Sequence, residues 1–340
     1  MLGLGSAKSI VGLDIGSYGV RAVELTRSGE GLVLTACGRA RIESADAVED
    51  TILQVMGDAG IRTRRCVSAI SGRAVIVRYV MMAPLPDAEL RQAIRYEADK
   101  YIPFEVDEVV LDCQKTEDPM PGEQMRVILV AIKRTMIDEH VTMLDRLGLS
   151  PAIIDVDRFA IGNAFEARNR RLGVNDEEIR GLVDIGASKT NINILRGNVS
   201  RFSREFYNAG NELTEVVAKR FGEDPSDIER MKEDPGGALK TMQDAMESVL
   251  EDISSEIRLS FDYYENQFDQ EVKEVYLSGG SVLFPGVDKM IGGILGLETR
   301  LWDPMEALDI TSPKFNAGYL DGMNSDMAVA VGLASRVLAR

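Results

Sequence analysis

Two aspartates head two near-identical turns. VGLDIGSYGVRAVEL (11–25) and GLVDIGASKTNINIL (181–195) each run from apolar residues into Asp-Ile-Gly, then small or polar residues, then a second apolar run. Such a turn can bind an anion and a cation together. Gly16 and Gly19 let the backbone turn tightly and bring N–H groups close to an anion, and Ser17 and Tyr18 add donors. Asp14 stands beside them, where a carboxylate facing a phosphate needs a cation between. Mg2+, keeping several waters, suits that place. The second copy offers Asp184, Gly186, Ser188 and Thr190, with Lys189 in place of a glycine. Two such hairpins face to face can hold a polyphosphate. In YLSGGSVLFPGV (276–287) a strand ends in Gly279-Gly280-Ser281 before a helix, and glycines there let a flat base or ribose lie against backbone. Each turn alone is a weak signal, because turns use Asp and Gly for geometry. Their order along the chain is the stronger one.

The bulk composition narrows the chemistry. The 340 residues suffice for two lobes or one large domain. With 39 basic and 55 acidic residues the net charge is −16, which argues against general nucleic-acid binding and against adhesion to anionic lipid. IRTRRC (61–66) is the one compact basic stretch and reads as a solvated loop. No apolar run approaches the roughly 18 residues that cross a bilayer, and MLGLGSAKSI reads poorly as a signal peptide. Cys37, Cys66 and Cys113 fit neither a disulfide framework nor a zinc site, so a reducing, cytoplasmic setting is expected. His140 is the only histidine, which excludes a multi-histidine metal site; it reads as an ordinary helix-surface residue.

Periodicity supplies the elements that must position these turns. Residues 10–25 read as two strands, 31–42 as a third, and 44–61 as a helix with a Ser cap. Residues 65–82 read as strand, Ser-Gly turn and strand. Two prolines in 83–90 break the pattern, and Asp87 can cap the next helix. Two strands joined by a Pro/Gly loop at 118–122 follow, then a helix ending at Gly148. The block 84–150 therefore reads as a small insertion in a larger α/β domain. A strand and helix (150–173) lead to the second hairpin. Then come a helix stopped by Gly222, a short capped helix, a long amphipathic helix from 239 to 268, a strand–loop–helix, and a final helix with a small-residue face.

The order of hairpin, hairpin and Gly-Gly turn resembles the actin, Hsp70 and sugar-kinase superfamily, in which two similar lobes hold ATP·Mg2+ between them. The resemblance implies an actin-like ATPase fold with two RNase H-like lobes around a nucleotide cleft. It implies Asp14, Gly16, Ser17, Tyr18 and Gly19 for the first phosphate loop, and Asp184, Gly186, Ala187, Ser188, Lys189 and Thr190 for the second. Gly279, Gly280 and Ser281 would meet the adenosine. NAGNELT (208–214) is similar to the helix start near the ribose, which implies Gly210 and Asn211. IERMKE (228–233) resembles the Glu-x-x-Lys helix of FtsA, which implies Glu229 and Lys232 near the base; an exposed i, i+3 ion pair is the alternative. Asp14 and Asp184 would hold Mg2+ through water, and Asp184 would position water if ATP is hydrolysed, at most slowly.

The insertion places the chain within the superfamily. Its position resembles that of the extra subdomain of FtsA, yet no counterpart of FtsA's basic membrane helix is expected after GLASRVLAR. LPDAELRQAIRYEADKYIPFEVDEVVLD (85–112) closely resembles the inserted subdomain of the PilM family, the actin-like proteins of type IV pilus assembly. DVDRFAIGNAFE (155–166) and DMAVAVGLASRVL (326–338) are similar to that family's connecting helices. WDPMEALDI (302–310) departs from it, with Asp303 and Met305 where the resemblance leads one to expect Asn-Pro-Phe. The expected layout is first lobe 1–83 and 151–178, inserted subdomain 84–150, second lobe 179–210 and 259–323, its subdomain 211–258, and a helix 324–340 returning to the first lobe.

The family resemblance implies a cytoplasmic adaptor, peripheral to the inner membrane, that binds ATP or ADP with Mg2+ and the N-terminal cytoplasmic tail of PilN. PilO would be reached indirectly, and the assembly and retraction ATPases and self-association stay open. The tail would lie between the inserted subdomain and the first lobe, against Tyr96, Tyr101, Ile102, Pro103 and Phe104. For Ile102 and Phe104, packing in the subdomain core is the favoured alternative. The alternatives are a small-molecule kinase, with Asp155 or Asp157 as base, and an FtsA- or MreB-like filament former.

Overall fold

The computed structural model describes residues 9–29, 31–116, 123–310, 315, 320 and 323–338. The first lobe opens with β1 (Ser9–Ile15), β2 (Gly19–Ser28) and β3 (Gly31–Arg41), an antiparallel meander, followed by α1 (Val48–Asp58) and β4 (Arg65–Ile70), which lies parallel to β1. β2 is buried on both faces. Val20 and Ala22 pack with Ile52 and Val55 of α1, while Val23 and Leu25 face a second apolar cluster. The short turn after β4 then sends the chain out of this sheet.

A separate three-stranded sheet follows. β5 (Val75–Met82), α2 (Asp87–Glu97), β6 (Val109–Lys115) and β7 (Met125–Lys133) have β7 at the centre, antiparallel to both neighbours. The boundary expected at 83/84 is thereby corrected, because β5 pairs with β7 along its length instead of joining the first lobe. The other end moves as well. α3 (Arg134–Arg146) buries Leu144 in the first-lobe cluster of Ile52, Met56 and Cys66. Asp87 opens α2 without capping it and pairs with Lys115 at 3.0 Å. Ser44 likewise makes no capping bond. The expected 118–122 loop lies outside the described residues. His140 is half-buried, with Nε2 3.1 Å from Ser68 Oγ, rather than on an open helix surface.

β8 (Ser150–Val156) completes the first-lobe sheet beside β4, and α4 (Asp157–Leu172) crosses to the second lobe. There β9 (Ile179–Ile185), β10 (Thr190–Arg196) and β11 (Val199–Phe206) repeat the meander, followed by α5 (Gly210–Phe221), α6 (Pro225–Glu233) and α7 (Leu239–Phe268). α7 buries Met242, Met246, Val249, Ile253, Ile257, Phe261 and Tyr264, one stripe at helical spacing. β12 (Glu274–Ser278) lies parallel to β9. α8 (Val287–Leu295), β13 (Glu298–Leu301), β14 (Asp309–Ile310) and α9 (Ala328–Leu338) follow. The sheet orders are β14-β3-β2-β1-β4-β8 and β11-β10-β9-β12-β13. The departing loop at 302–310 serves packing: Trp302 and Met305 are buried beside Phe165 and Tyr276, and Asp303 accepts from Met305 N–H and Asn324 Nδ2, both at 2.8 Å.

α4 and α9 cross where the lobes meet, backbone against backbone. A Cβ on Gly332 would stand 1.7 Å from the Ala160 carbonyl oxygen, and one on Gly12 would stand 1.9 Å from that of Ala330. The small-residue face of α9 is thus a steric requirement. The crossing fixes the start of α4, with Asp157, and the turn before α9, with Asp326, on the floor of the space between the lobes.

Candidate functional site

The two hairpins close identically. Gly16 N–H donates to the Gly19 carbonyl, and Gly186 N–H donates to that of Lys189, each at 3.0 Å. Gly19 is forced by β3, since a Cβ there would stand 2.7 Å from the Ala40 carbonyl oxygen. The tips meet: Ser17 Oγ donates to Ser188 Oγ at 2.8 Å. Behind them β12 ends at Gly279, whose φ of +99° and approach to the Ile185 carbonyl (2.4 Å from an added Cβ) admit only glycine. Hairpins, Gly-Gly turn and floor enclose a cavity of about 170 Å3 that opens to solvent.

Hairpin register sets the charges. Asp14 lies opposite Arg21, and Asp184 opposite Asn191. Arg21 reaches Asp14 at 3.7 Å and Asp326 at 2.7 Å, and Asp326 also pairs with Arg39 at 3.2 Å. Lys189 lies 2.5 Å from Asp157, which also accepts from Asn191 Nδ2 at 2.9 Å. Asp184 accepts from Ser278 Oγ at 2.9 Å. Burial pushes the Asp14 carboxyl up to about 6, with Arg21 opposing and Asp157 adding. Burial pushes Asp184 up to about 7; the Ser278 bond opposes this, and the charge of Asp14 adds to it. Two buried carboxylates that resist ionising, Asp184 the more for the charge of Asp14, form an environment in which a divalent cation is favoured.

The residues present fit Mg2+ and a polyphosphate. No cluster of three or more His, Cys, Asp or Glu lies among the described residues, but Mg2+ commonly takes only one or two carboxylates and completes its shell with water and phosphate oxygens. Gly16, Gly186, Gly279 and Gly280 line the cavity with backbone alone. The Nε of Arg21 is buried without a hydrogen-bond partner among the described residues.

Most of the expected site residues converge. Asp14, Gly16, Ser17, Tyr18, Asp184, Gly186, Ala187, Ser188, Lys189, Gly279 and Gly280 line the cavity. Others stand behind it. Thr190, expected to touch the cofactor, is fully buried and spends its hydroxyl on the Asn208 carbonyl at 2.8 Å. Gly210 and Asn211 donate their N–H groups to the Gly186 and Ala187 carbonyls at 3.0 and 2.7 Å, and Ser281 Oγ donates to Gly186 O at 2.7 Å. These three brace the second hairpin. Glu229 and Lys232 pair at 2.9 Å, and Lys232 also donates to Thr214 at 3.1 Å. The pair is mostly buried, not the exposed alternative. It lies across from the first hairpin: burial, then the charge of Glu229, raises the Tyr18 phenol. Sequence reasoning missed Arg21, Asn191 and Asp326 and left Asp157 without a place here. Hairpin register could have found the first two.

On the inserted subdomain, Tyr96 is 78% exposed and Pro103 is exposed, while Tyr101 is half-buried. Ile102 is corrected as a contact residue. It is buried in the subdomain core with Leu90, Ile94 and Val109. Phe104 packs against the same core under the Lys133 ammonium, 4.7 Å from its ring centre. No helix among the described residues is long and apolar enough to cross a membrane.

A family model described as type IV pilus assembly protein PilM matches residues 12–338. A solved structure described as a PilM-PilN type IV pilus biogenesis complex is similar over 96% of this chain and 98% of that one, at 28% identity and a TM-score of 0.85. The ethanolamine utilization protein EutJ from Carboxydothermus hydrogenoformans is similar at 15% identity, over 96% and 89% of the two chains, with a TM-score of 0.58. Component A of the Acidaminococcus fermentans (R)-2-hydroxyglutaryl-CoA dehydratase follows at 11% identity, 96% coverage of each chain and 0.50. The fold is the two-lobed actin/Hsp70-like ATPase fold.

Proposed function

The chain belongs to the PilM family of type IV pilus assembly proteins, and from that premise we propose that it is a nucleotide-binding adaptor of pilus assembly. It acts in the cytoplasm and engages the N-terminal cytoplasmic tail of PilN, through which it is held at the inner membrane. The observation that carries this reading is the near full-length likeness to the PilM-PilN complex, joined to a cavity bounded by two phosphate-type hairpins. ATP or ADP with Mg2+ occupies that cavity; the nucleotide supplies phosphate charge that the two lobes grip together. Asp14 and Asp184 would hold the cation through water, and the hairpin tips would present backbone N–H groups to phosphate oxygens. The nucleotide acts as a conformational ligand through its different affinity for open and closed lobes. An extended peptide suits the inserted subdomain, where Tyr96, Tyr101 and Pro103 remain accessible.

Calorimetry with a peptide of the PilN tail, with and without Mg·ATP, tests the adaptor reading. Micromolar binding is expected, and no binding in either condition removes it. Asp14→Ala is expected to weaken Mg·ATP binding at least about tenfold, the scale of about 1.4 kcal/mol; unchanged affinity would place the nucleotide elsewhere.

A further inference from the structure

Beyond the cavity itself, one seam of side chains crosses from its floor to the inserted sheet. Lys189 lies between two carboxylates, 2.5 Å from Asp157 and 3.6 Å from Glu205. Glu205 sits on β11 and is shared: Arg158 pairs with it at 3.1 Å, and the Tyr207 hydroxyl donates to it at 3.1 Å. The ring of Tyr207 carries the Arg73 guanidinium 4.7 Å above its centre. Arg73 belongs to the turn between β4 and β5, and its neighbours Ser71 and Gly72 line the cavity. The strand that leaves this turn is the edge of the inserted sheet.

A second contact on β11 runs in parallel. Ser203 stands two residues from Glu205 on the same strand and accepts from the Tyr79 hydroxyl of β5 at 3.2 Å. Tyr79 stacks on Phe202, with ring centres 6.3 Å apart. Arg126 of β7 lies over both Tyr79 and Phe268, at 4.6 and 4.5 Å from their ring centres, and so ties the inserted sheet to the end of α7. The inserted subdomain therefore rests on the second lobe as well as on the first.

We propose that β11 and the β4–β5 turn form a clasp across the cleft that reports the phosphate state of the bound nucleotide to the inserted subdomain, with Lys189 as the reader. This rests on the nucleotide reading above. Around Lys189 the charges pair off, Lys189 and Arg158 against Asp157 and Glu205. A terminal phosphate brings negative charge to the second hairpin, and Lys189 is the ammonium there. Its longer pairing, to Glu205, is the one given up first. Glu205 then depends on Arg158 and Tyr207 alone, which shifts the ring beneath Arg73 and with it the start of β5. A diphosphate lacks the charge that draws Lys189 away, so the clasp keeps its resting arrangement. Both ligand and seam bias one two-state element, which is what energetic coupling requires.

Hydrogen exchange of the full chain, read by mass spectrometry, tests this. Exchange in 71–82 and 125–133 is compared with Mg·ADP and with a non-hydrolysable Mg·ATP analogue, at saturations fixed by calorimetry. The wild type is expected to differ between the two ligands by about fivefold or more in rate, the usual scale of a coupling between sites. Arg73→Ala is expected to bind both nucleotides within about twofold and to lose that difference; the conservative Glu205→Gln is expected to lose it as well. Should Arg73→Ala fold poorly, Glu205→Gln carries the comparison, since it removes the charge and keeps the shape. An identical ligand difference in wild type and variants overturns the clasp. So does a wild type that binds both nucleotides and exchanges alike with each. Failure of both nucleotides to bind overturns the cofactor reading together with the clasp.

Discussion

Asp184→Asn should stabilise the metal-free protein while removing Mg-dependent nucleotide binding. The Asp184 carboxylate is buried at the end of β9, and burial raises it from 3.8 to about 7. At about 1.4 kcal/mol for each tenfold change in proton affinity, ionising it in the folded state costs up to about 4 kcal/mol at pH 8. The sign follows from linkage. The folded state holds this proton more tightly than the unfolded chain, so its contribution is fully present below pH 4 and is lost as pH rises through about 7. The carboxamide escapes that loss and keeps an acceptor for Ser278 Oγ. The stability of the variant relative to wild type should therefore grow from about 1 kcal/mol at pH 4.5 to about 4 at pH 8. Screening by solvent that enters the cleft makes about half of that, a rise of a few degrees in Tm, the practical expectation. The assay is thermal unfolding in EDTA across pH 4.5–8, repeated with Mg·ATP. Wild type should gain from the ligand, and the variant should not. A variant less stable than wild type at pH 8 in EDTA, with no widening gap between pH 4.5 and 8, would refute the electrostatic argument.

The same carboxylates make nucleotide binding pH-sensitive: Mg·ATP affinity should fall about tenfold or more between pH 8 and 5.5, as protons compete with the metal first at Asp184 and then at Asp14. Calorimetry at constant Mg2+ checks it. Gly332→Ala should cost about 3 kcal/mol or more in urea unfolding, because its Cβ meets the Ala160 carbonyl at 1.7 Å. Gly57→Ala, which meets nothing within 4 Å inside α1, should gain about 0.5–1 kcal/mol. Ile102→Ala should lose about 2–4 kcal/mol of stability as a core truncation. Tyr96→Ala should stay within about 0.5 kcal/mol of wild type and weaken peptide binding, read by calorimetry on the folded protein.

What the sequence displayed well was local. Both hairpins are set by apolar runs, a Gly-containing turn and an aspartate within about fifteen residues, and the α7 stripe is a single-period signal. Arg21 was legible in principle, since closing the Gly16–Gly19 turn fixes Asp14 opposite it. Asp326 was not, because it joins Arg21 from the far end of the chain. Thr190 and Lys189 look alike as polar loop residues, yet strand pairing starts at Thr190 and turns its hydroxyl onto the Asn208 carbonyl. β5 shows a second limit: alternation says that a segment is a strand but not which sheet accepts it. Ile102 shows a third, since a short turn between helix and strand has no period from which to read burial.

The molecule is stiff at one end of its cleft and soft at the other. At the α4–α9 crossing Gly332 sets backbone against backbone, and Gly12 of β1 does the same against α9. So close an approach leaves no room for a larger side chain at either point, and neither can repack cheaply. At the seam the inserted subdomain and the β4–β5 turn meet the second lobe through polar and cation–aromatic pairs, Arg73 with Tyr207 and Tyr79 with Ser203. Such pairs bury little apolar surface and make few hydrogen bonds, so they rearrange at less cost than the packed crossing. On the proposed function, a ligand that pulls the hairpins together is expected to produce rotation at the crossing and displacement at the seam. The inserted subdomain sits on that seam, and it also carries Tyr96 and Pro103, exposed and unpacked. On the proposed function, the partner surface stands on the subdomain held by this seam rather than on the stiff floor, which is the placement an adaptor needs if its grip is to depend on the nucleotide.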